Sequence, residues 1–167
     1  METRTLKVQP ISDAAMEGYG RWIRTGQQDP AATTDTFSFW NKLSILNHRA
    51  TSVGLVEPQA QPEMVSTIFE QHVNTTETLI PTTGDVILVL AKPQAGATTE
   101  IDLDTVVALR LPAGDAVVLD KATWHFAPHV ESGSVKVWVI FEEDTPDKDL
   151  FMRHLDEEQG IRFLVQA

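Results

Sequence analysis

The side chains able to do chemistry gather in two blocks. The first is Glu70-x-His72-x4-Glu77-x6-Gly84, and the second is Gly114-x10-His125. Imidazole and carboxylate together suit divalent first-row metals, and ligands of a barrel site come from different strands facing one lumen. Glu70 and His72 are two apart, so on a strand they share a face. Glu77 returns to that face if Val73-Asn-Thr-Thr76 makes a turn, and His125 joins it from an antiparallel strand. Such a set, with coordination positions left open, would hold a metal ion and leave room for substrate or water. His129 follows Ala127-Pro128 and reads as a loop residue, while His48 and His154 read as structural.

The elements that must position these residues read mainly as strands. Apolar or alternating runs lie at Phe37–Phe39, Leu43–Ile45, Thr51–Val56, Ser66–Phe69, Val86–Ala91, Val106–Leu111, Ala116–Leu119, Val135–Phe141 and Ile161–Val165. Turn-rich separators stand between the later ones, at Pro81–Gly84, Lys92–Gly96, Pro112–Asp115 and Glu131–Gly133. Short helices are expected over Ser12–Gly20, which opens with N-cap chemistry and closes on glycines, and over Lys148–Leu155. Many short strands with little helix predict a mainly β sandwich or barrel in one domain, residues 1–167. In extended backbone Trp124 and Phe126 point away from His125, as packing material, and Trp22, Trp40 and Trp138 read as core anchors.

Composition removes whole classes of function. With no cysteine among 167 residues, disulfides, thiolate metal sites and cysteine nucleophiles are excluded, leaving His, Asp and Glu as strong ligands. The formal charge of −11 argues against nucleic acid, whose binders need a surplus of Lys and Arg. The late acidic stretch, from Glu142 to Glu158, reads as a solvated face. No apolar run is long enough to span a membrane and the N-terminus lacks a targeting pattern, so a cytoplasmic protein with a small-molecule partner is expected.

The spacing of both blocks resembles the paired motifs of the cupin superfamily. Glu70 and His72 stand at the two histidine positions of its first motif, Glu77 at the glutamate and Gly84 at the closing glycine. In the second motif Gly114 and His125 match, whereas Asp120, Ala122 and His129 replace Pro, Gly and Asn. The chain is also similar to the ureidoglycolate lyase family, in Val8-Gln-Pro-Ile-Ser-x5-Gly18-Tyr-Gly20, in Glu70-x-His72-x7-Ile80-Pro81-x2-Gly84, and in Trp124-His125 followed by Pro128. That family usually has Gln where Glu77 stands and an Arg near Gly54-Leu55, which this chain lacks.

The resemblance implies a cupin-type antiparallel, jelly-roll-like barrel, a homodimer, and cleavage of ureidoglycolate to glyoxylate and urea in purine degradation. On this expectation His72, Glu77 and His125 hold a divalent nickel, iron, manganese or zinc ion, with no organic cofactor. Glu70 does acid–base work, and Lys121 pairs with the substrate anion. The departures leave two alternatives: a metal-dependent cupin oxygenase or isomerase acting on another small acid, and a non-catalytic cupin that binds a small metabolite.

Overall fold

The computed structural model describes residues 1–167 and contains fourteen strands and two short helices. In chain order the strands are β1 (Glu2–Pro10), β2 (Gly20–Ile23), β3 (Ala32–Thr33), β4 (Ser38–Phe39), β5 (Thr51–Val56), β6 (Val65–Ser66), β7 (Ile68–Gln71) and β8 (Glu77–Pro81). They continue as β9 (Val86–Gln94), β10 (Ala97–Leu111), β11 (Ala116–Leu119), β12 (Val137–Glu142), β13 (Phe151–His154) and β14 (Ile161–Gln166). Helix α1 (Thr145–Lys148) precedes β13, and α2 (Leu155–Gln159) follows it.

Two five-stranded sheets form the body, ordered β6-β14-β1-β10-β9 and β2-β11-β8-β12-β5. This is the mainly β architecture that the sequence predicts, with one amendment. Strand β1 runs parallel to both β10 and β14, while the other pairings are antiparallel. No helix is long and apolar enough to cross a membrane.

Period-two alternation in β9 explains how the sheets pack. Val86, Leu88 and Leu90 face the space between the sheets, where they meet Leu79, Leu109, Val117, Val137 and others. Ile87, Val89 and Ala91 face the opposite way, into a second core with Phe69, Trp124, Leu155 and Phe163. A strand buried on both faces reads as an unbroken apolar run, as residues 86–91 do.

Both expected helices are corrected. Residues 13–19 make turns only: Ser12 Oγ accepts from the Ala15 amide, the chain leaves helical geometry at Gly18, with φ at +79°, and Gly20 already opens β2. A single capped turn ending on a left-handed glycine cannot propagate. Gly20 is held close against β11, where a Cβ would lie 2.1 Å from the Val118 carbonyl oxygen. Over 148–155 helix gives way to strand pairing, because Phe151–His154 pairs with β7 in the register Met152 to Glu70. Helix α2 then begins at Leu155 and ends on Gly160 in left-handed backbone.

Other expectations shift in detail. Residues 43–45 form no strand, and β9 runs through Lys92-Pro93 before turning at Ala95-Gly96. Only Trp124 of the four tryptophans is fully buried. Trp22 packs at the edge of the first core, Trp40 is partly exposed, and Trp138 points outward from β12 at 44% exposure.

Candidate active site

Glu70 and His125 lie directly opposite one another. The Glu70 amide donates to the His125 carbonyl at 2.6 Å, and the His125 amide donates back to the Glu70 carbonyl at 2.8 Å. His72 follows β7 by one residue, on the same side as Glu70. A turn over 73–76 reverses the chain, so that Glu77 opens β8 beside Leu119 of β11. The reversal expected from Val73-Asn-Thr-Thr76 is thus what brings the second carboxylate home.

The approach to His125 is set by Ala122. Its backbone is left-handed, with φ at +66°, and its amide donates to the His72 carbonyl at 2.7 Å. Ala122 occupies the place of a motif glycine, and the conformation supplies the reason a glycine suits it.

Four side chains converge. Glu77 Oε2 lies 2.9 Å from His72 Nε2 and 3.2 Å from His125 Nε2, and Glu70 Oε1 lies 3.8 Å from His125 Nε2. The imidazoles meet edge to face, with centroids 5.3 Å apart. Their other nitrogens are committed to main-chain carbonyls: His72 Nδ1 donates to Asp149 at 2.6 Å, and His125 Nδ1 to Thr123 at 2.9 Å. A carbonyl accepts only from a protonated nitrogen, so Nδ1–H is fixed on both rings and both Nε2 atoms face the cavity.

Burial, charge and hydrogen bonding compete here. Burial works to raise Glu77, yet His125 and His72 overcome it and hold the carboxyl well below its ordinary range. Burial alone would lower His125, but the charge and hydrogen bond of Glu77, then the charge of Glu70, push it up. Glu70 is raised, chiefly by burial, with Glu77 adding to the effect and His125 opposing it. Two carboxylates with separated proton affinities therefore share one pocket, the pattern expected of a site that moves protons.

The donor set fits a divalent ion. One ligand atom each from Glu70, His72 and His125 lies within 4.8 Å of the others, and Glu77 touches both imidazoles. Adjacent ligands each about 2.1 Å from one ion are themselves roughly 3 Å apart, close to the Glu77 to histidine separations. Hydrogen bonds from each Nδ1–H to a carbonyl are the usual outer support of a metal-bound histidine.

A cavity of about 310 Å³ opens above these groups. Its walls include Leu79, Phe126, Pro128, Val139, Phe141 and Leu150, and no Arg or Lys lines it. Phe126 thus sits on the cavity side with His125, against the expectation from alternation, because the extended run ends in the bend at Ala127-Pro128. Lys121 is exposed and does not line the cavity, so it is not brought to the four convergent residues. His129 turns away to Ser66, its Nε2 lying 2.7 Å from that hydroxyl, and His48 bonds Thr76. Gly54 and Leu55, where the resembling family has Arg nearby, do line the cavity.

One functional residue had no sequence signal. Asp149, just after α1, is buried, and its carboxylate accepts from the Val73 amide (3.0 Å), the Asn74 amide (2.8 Å) and Asn74 Nδ2 (3.0 Å). It therefore fastens the turn after His72 while its carbonyl orients the His72 ring.

Comparison with known proteins gives one extensive match and several distant likenesses. No curated protein matches. Among solved structures, the formate complex of Lactobacillus farciminis oxalate decarboxylase aligns at 13% identity and TM-score 0.44, over 65% of this chain and 27% of that one. Bacillus subtilis oxalate decarboxylase aligns at 17% and 0.43, over 71% and 28%. A dTDP sugar isomerase from Desulfovibrio desulfuricans G20 aligns at 13% and 0.42, over 75% and 74%. The chain spans little more than a quarter of the oxalate decarboxylase chains it matches. The family model for ureidoglycolate lyase matches residues 3–162, nearly the whole chain, and the protein belongs to that family.

Proposed function

We propose that the protein is a carbon–nitrogen lyase that cleaves ureidoglycolate to glyoxylate and urea, as part of purine breakdown. The observation that carries this reading is the pair of carboxylates with opposed proton affinities around two imidazoles, in a chain of this family.

Glu70 does the proton work. Its carboxylate takes the proton of the carbinol hydroxyl, and the electrons of that O–H bond form the carbonyl of glyoxylate. The C–N bond breaks, its electron pair stays on nitrogen, and the protonated Glu70 returns the proton to that nitrogen to release urea. Water is neither added nor lost. Glu70 suits both halves because burial raises its proton affinity above that of an ordinary carboxylate, which makes it a better acceptor of the hydroxyl proton than a solvated carboxylate.

His72, Glu77 and His125 would hold a divalent ion, with nickel, iron, manganese and zinc all compatible with imidazole and carboxylate. When bound, such an ion supplies Lewis-acid stabilisation of oxyanion charge. The pocket lining contains no Arg or Lys, so the substrate carboxylate depends on this end of the cavity for its positive partner. Lys121, exposed and outside the cavity lining, is not assigned that task in this reading.

The reading also includes a cytoplasmic homodimer. Support for the dimer is apolar surface on β5 and β12, where Val53 and Trp138 are 61% and 44% exposed. Elemental analysis of the purified protein is expected to find one metal per chain. A coupled assay should detect urea and glyoxylate in equal amounts, abolished in His125→Ala with the circular dichroism spectrum retained. Absence of turnover by metal-replete protein would refute the lyase reading.

A further inference from the structure

The walls of the cavity and its reactive end differ sharply in chemistry. All four polar side chains that line it, Glu70, His72, Glu77 and His125, stand together at one end. The remainder is apolar: Leu79 and Val139 on β8 and β12, Phe141 against the His72 ring with centroids 6.3 Å apart, and Phe126, Pro128 and Leu150. Phe126 and Leu150 are 38% and 40% exposed, so the opening presents apolar surface.

Ureidoglycolate matches one part of this cavity better than the other. Its hydroxyl and carboxylate can meet the polar end. Its terminal –CO–NH2 would instead lie among side chains that offer no donor or acceptor, and a polar group moved from water to such a place without partners is disfavoured. An apolar group of similar or greater length loses nothing there and gains from leaving water.

We propose that this site takes N-acyl α-hydroxyglycines with an apolar acyl chain, and takes them in preference to ureidoglycolate. The inference rests on the lyase reading for its chemistry, because the bond broken is the same. The hydroxyl proton goes to Glu70, the carbonyl of glyoxylate forms, the C–N electrons remain on the amide nitrogen, and Glu70 returns the proton to release a primary amide. No co-reactant is needed, and only the group on the far side of the amide carbonyl changes. The cavity, about 310 Å³, lies at the small end of ligand pockets, which typically run from about 300 to 1,000 Å³. Short acyl chains are accordingly expected.

Unreactive analogues separate recognition from turnover. N-hexanoylglycine and N-carbamoylglycine lack the hydroxyl, cannot be cleaved, and differ only in the group that would face the wall. Calorimetric titration of the purified protein is expected to show N-hexanoylglycine binding at least tenfold more tightly. Leu150→Asn, at the partly exposed rim, should shrink that ratio to within about threefold while leaving the fold intact. Equal affinities, a preference for N-carbamoylglycine, no binding of either compound, or an unchanged ratio in Leu150→Asn would each overturn the proposal. Release of glyoxylate from ureidoglycolate and from N-hexanoyl-α-hydroxyglycine is measured separately. Failure of both reactions alongside the predicted binding would count against the lyase reading and leave the recognition claim standing.

Discussion

Two imidazoles face one carboxylate oxygen only because their other nitrogens are held elsewhere, and Asp149 is where that holding can be tested. Its carbonyl fixes the His72 ring, and its carboxylate gathers two main-chain amides and the Asn74 side chain of the adjoining turn. Replacing it with alanine strands partly buried donors, at a cost of about 1–3 kcal/mol, readable as a lowered urea midpoint. Loosening the support of a ligating histidine typically weakens metal binding by about 10–100-fold. Asp149→Ala is therefore expected to lose metal in competition with a chelator while Glu63→Ala, at an exposed position, retains it. Because the main-chain carbonyl of residue 149 that accepts from His72 survives in the variant, equal metal retention by both would show that the Asp149 carboxylate, through the turn it fastens, does not position His72. Glu70, His72 and Glu77 were legible in the sequence because their relation is local, the first two by alternation and the third by a four-residue turn. His125, 48 positions beyond Glu77, was legible only through the spacing of the second block and the Trp124-His125 resemblance. Asp149 was not, because it meets His72 across 77 positions and looks like one more acid in a solvated run.

At the level of elements, strand alternation was readable and the short helices were not. The run 86–91 announces a strand buried on both faces, whereas Phe151–His154 is a strand only because β7 offers it a partner. Local propensity gave no hint of that pairing. The loop before His125 shows a related conflict, since Ala122 holds left-handed backbone in a place that suits glycine. An L-residue there costs roughly 1–2 kcal/mol, part of which glycine returns through its greater freedom when unfolded. Ala122→Gly should thus raise stability by about 1 kcal/mol in urea titration without reducing metal content. A second junction, between β6 and the segment bridged to Ile87, depends on His129. Burial lowers its proton affinity, and its Nε2 meets the Ser66 hydroxyl. A histidine whose folded pKa lies below its unfolded value, near 6.5, contributes stability above that value and loses it as pH falls through the folded pKa. His129→Gln is expected to flatten this loss. Melting temperatures of the two proteins between pH 7.5 and 5 should converge on the acid side, and parallel curves would count against the assignment.

For the whole molecule, charge acts against the proposed substrate. A net charge of −11 surrounds a cavity that already holds Glu70 and Glu77 and has no lining Arg or Lys. Near the opening, Pro146 and Leu150 belong to a segment that also carries Glu142, Glu143, Asp144 and Asp147. An anion approaching from solvent therefore climbs a repulsive field before it reaches the histidines. Such fields are long in range at low salt, with a screening length of about 30 Å at 0.01 M, and short at 0.15 M, where it is about 8 Å. The expected consequence is the reverse of the usual steering effect, in which salt slows capture of a charged ligand. For ureidoglycolate, kcat/KM should rise by roughly two- to fivefold between 10 and 200 mM sodium chloride, through KM. Lys121, exposed near the second motif, is the natural control, because Lys121→Glu deepens the negative field without touching the cavity lining. That variant should show a lower kcat/KM at low salt and approach the parent protein at high salt. A fall in kcat/KM with salt would mean that a local positive centre at the polar end governs capture, and that the surrounding acids are too far or too well screened to matter.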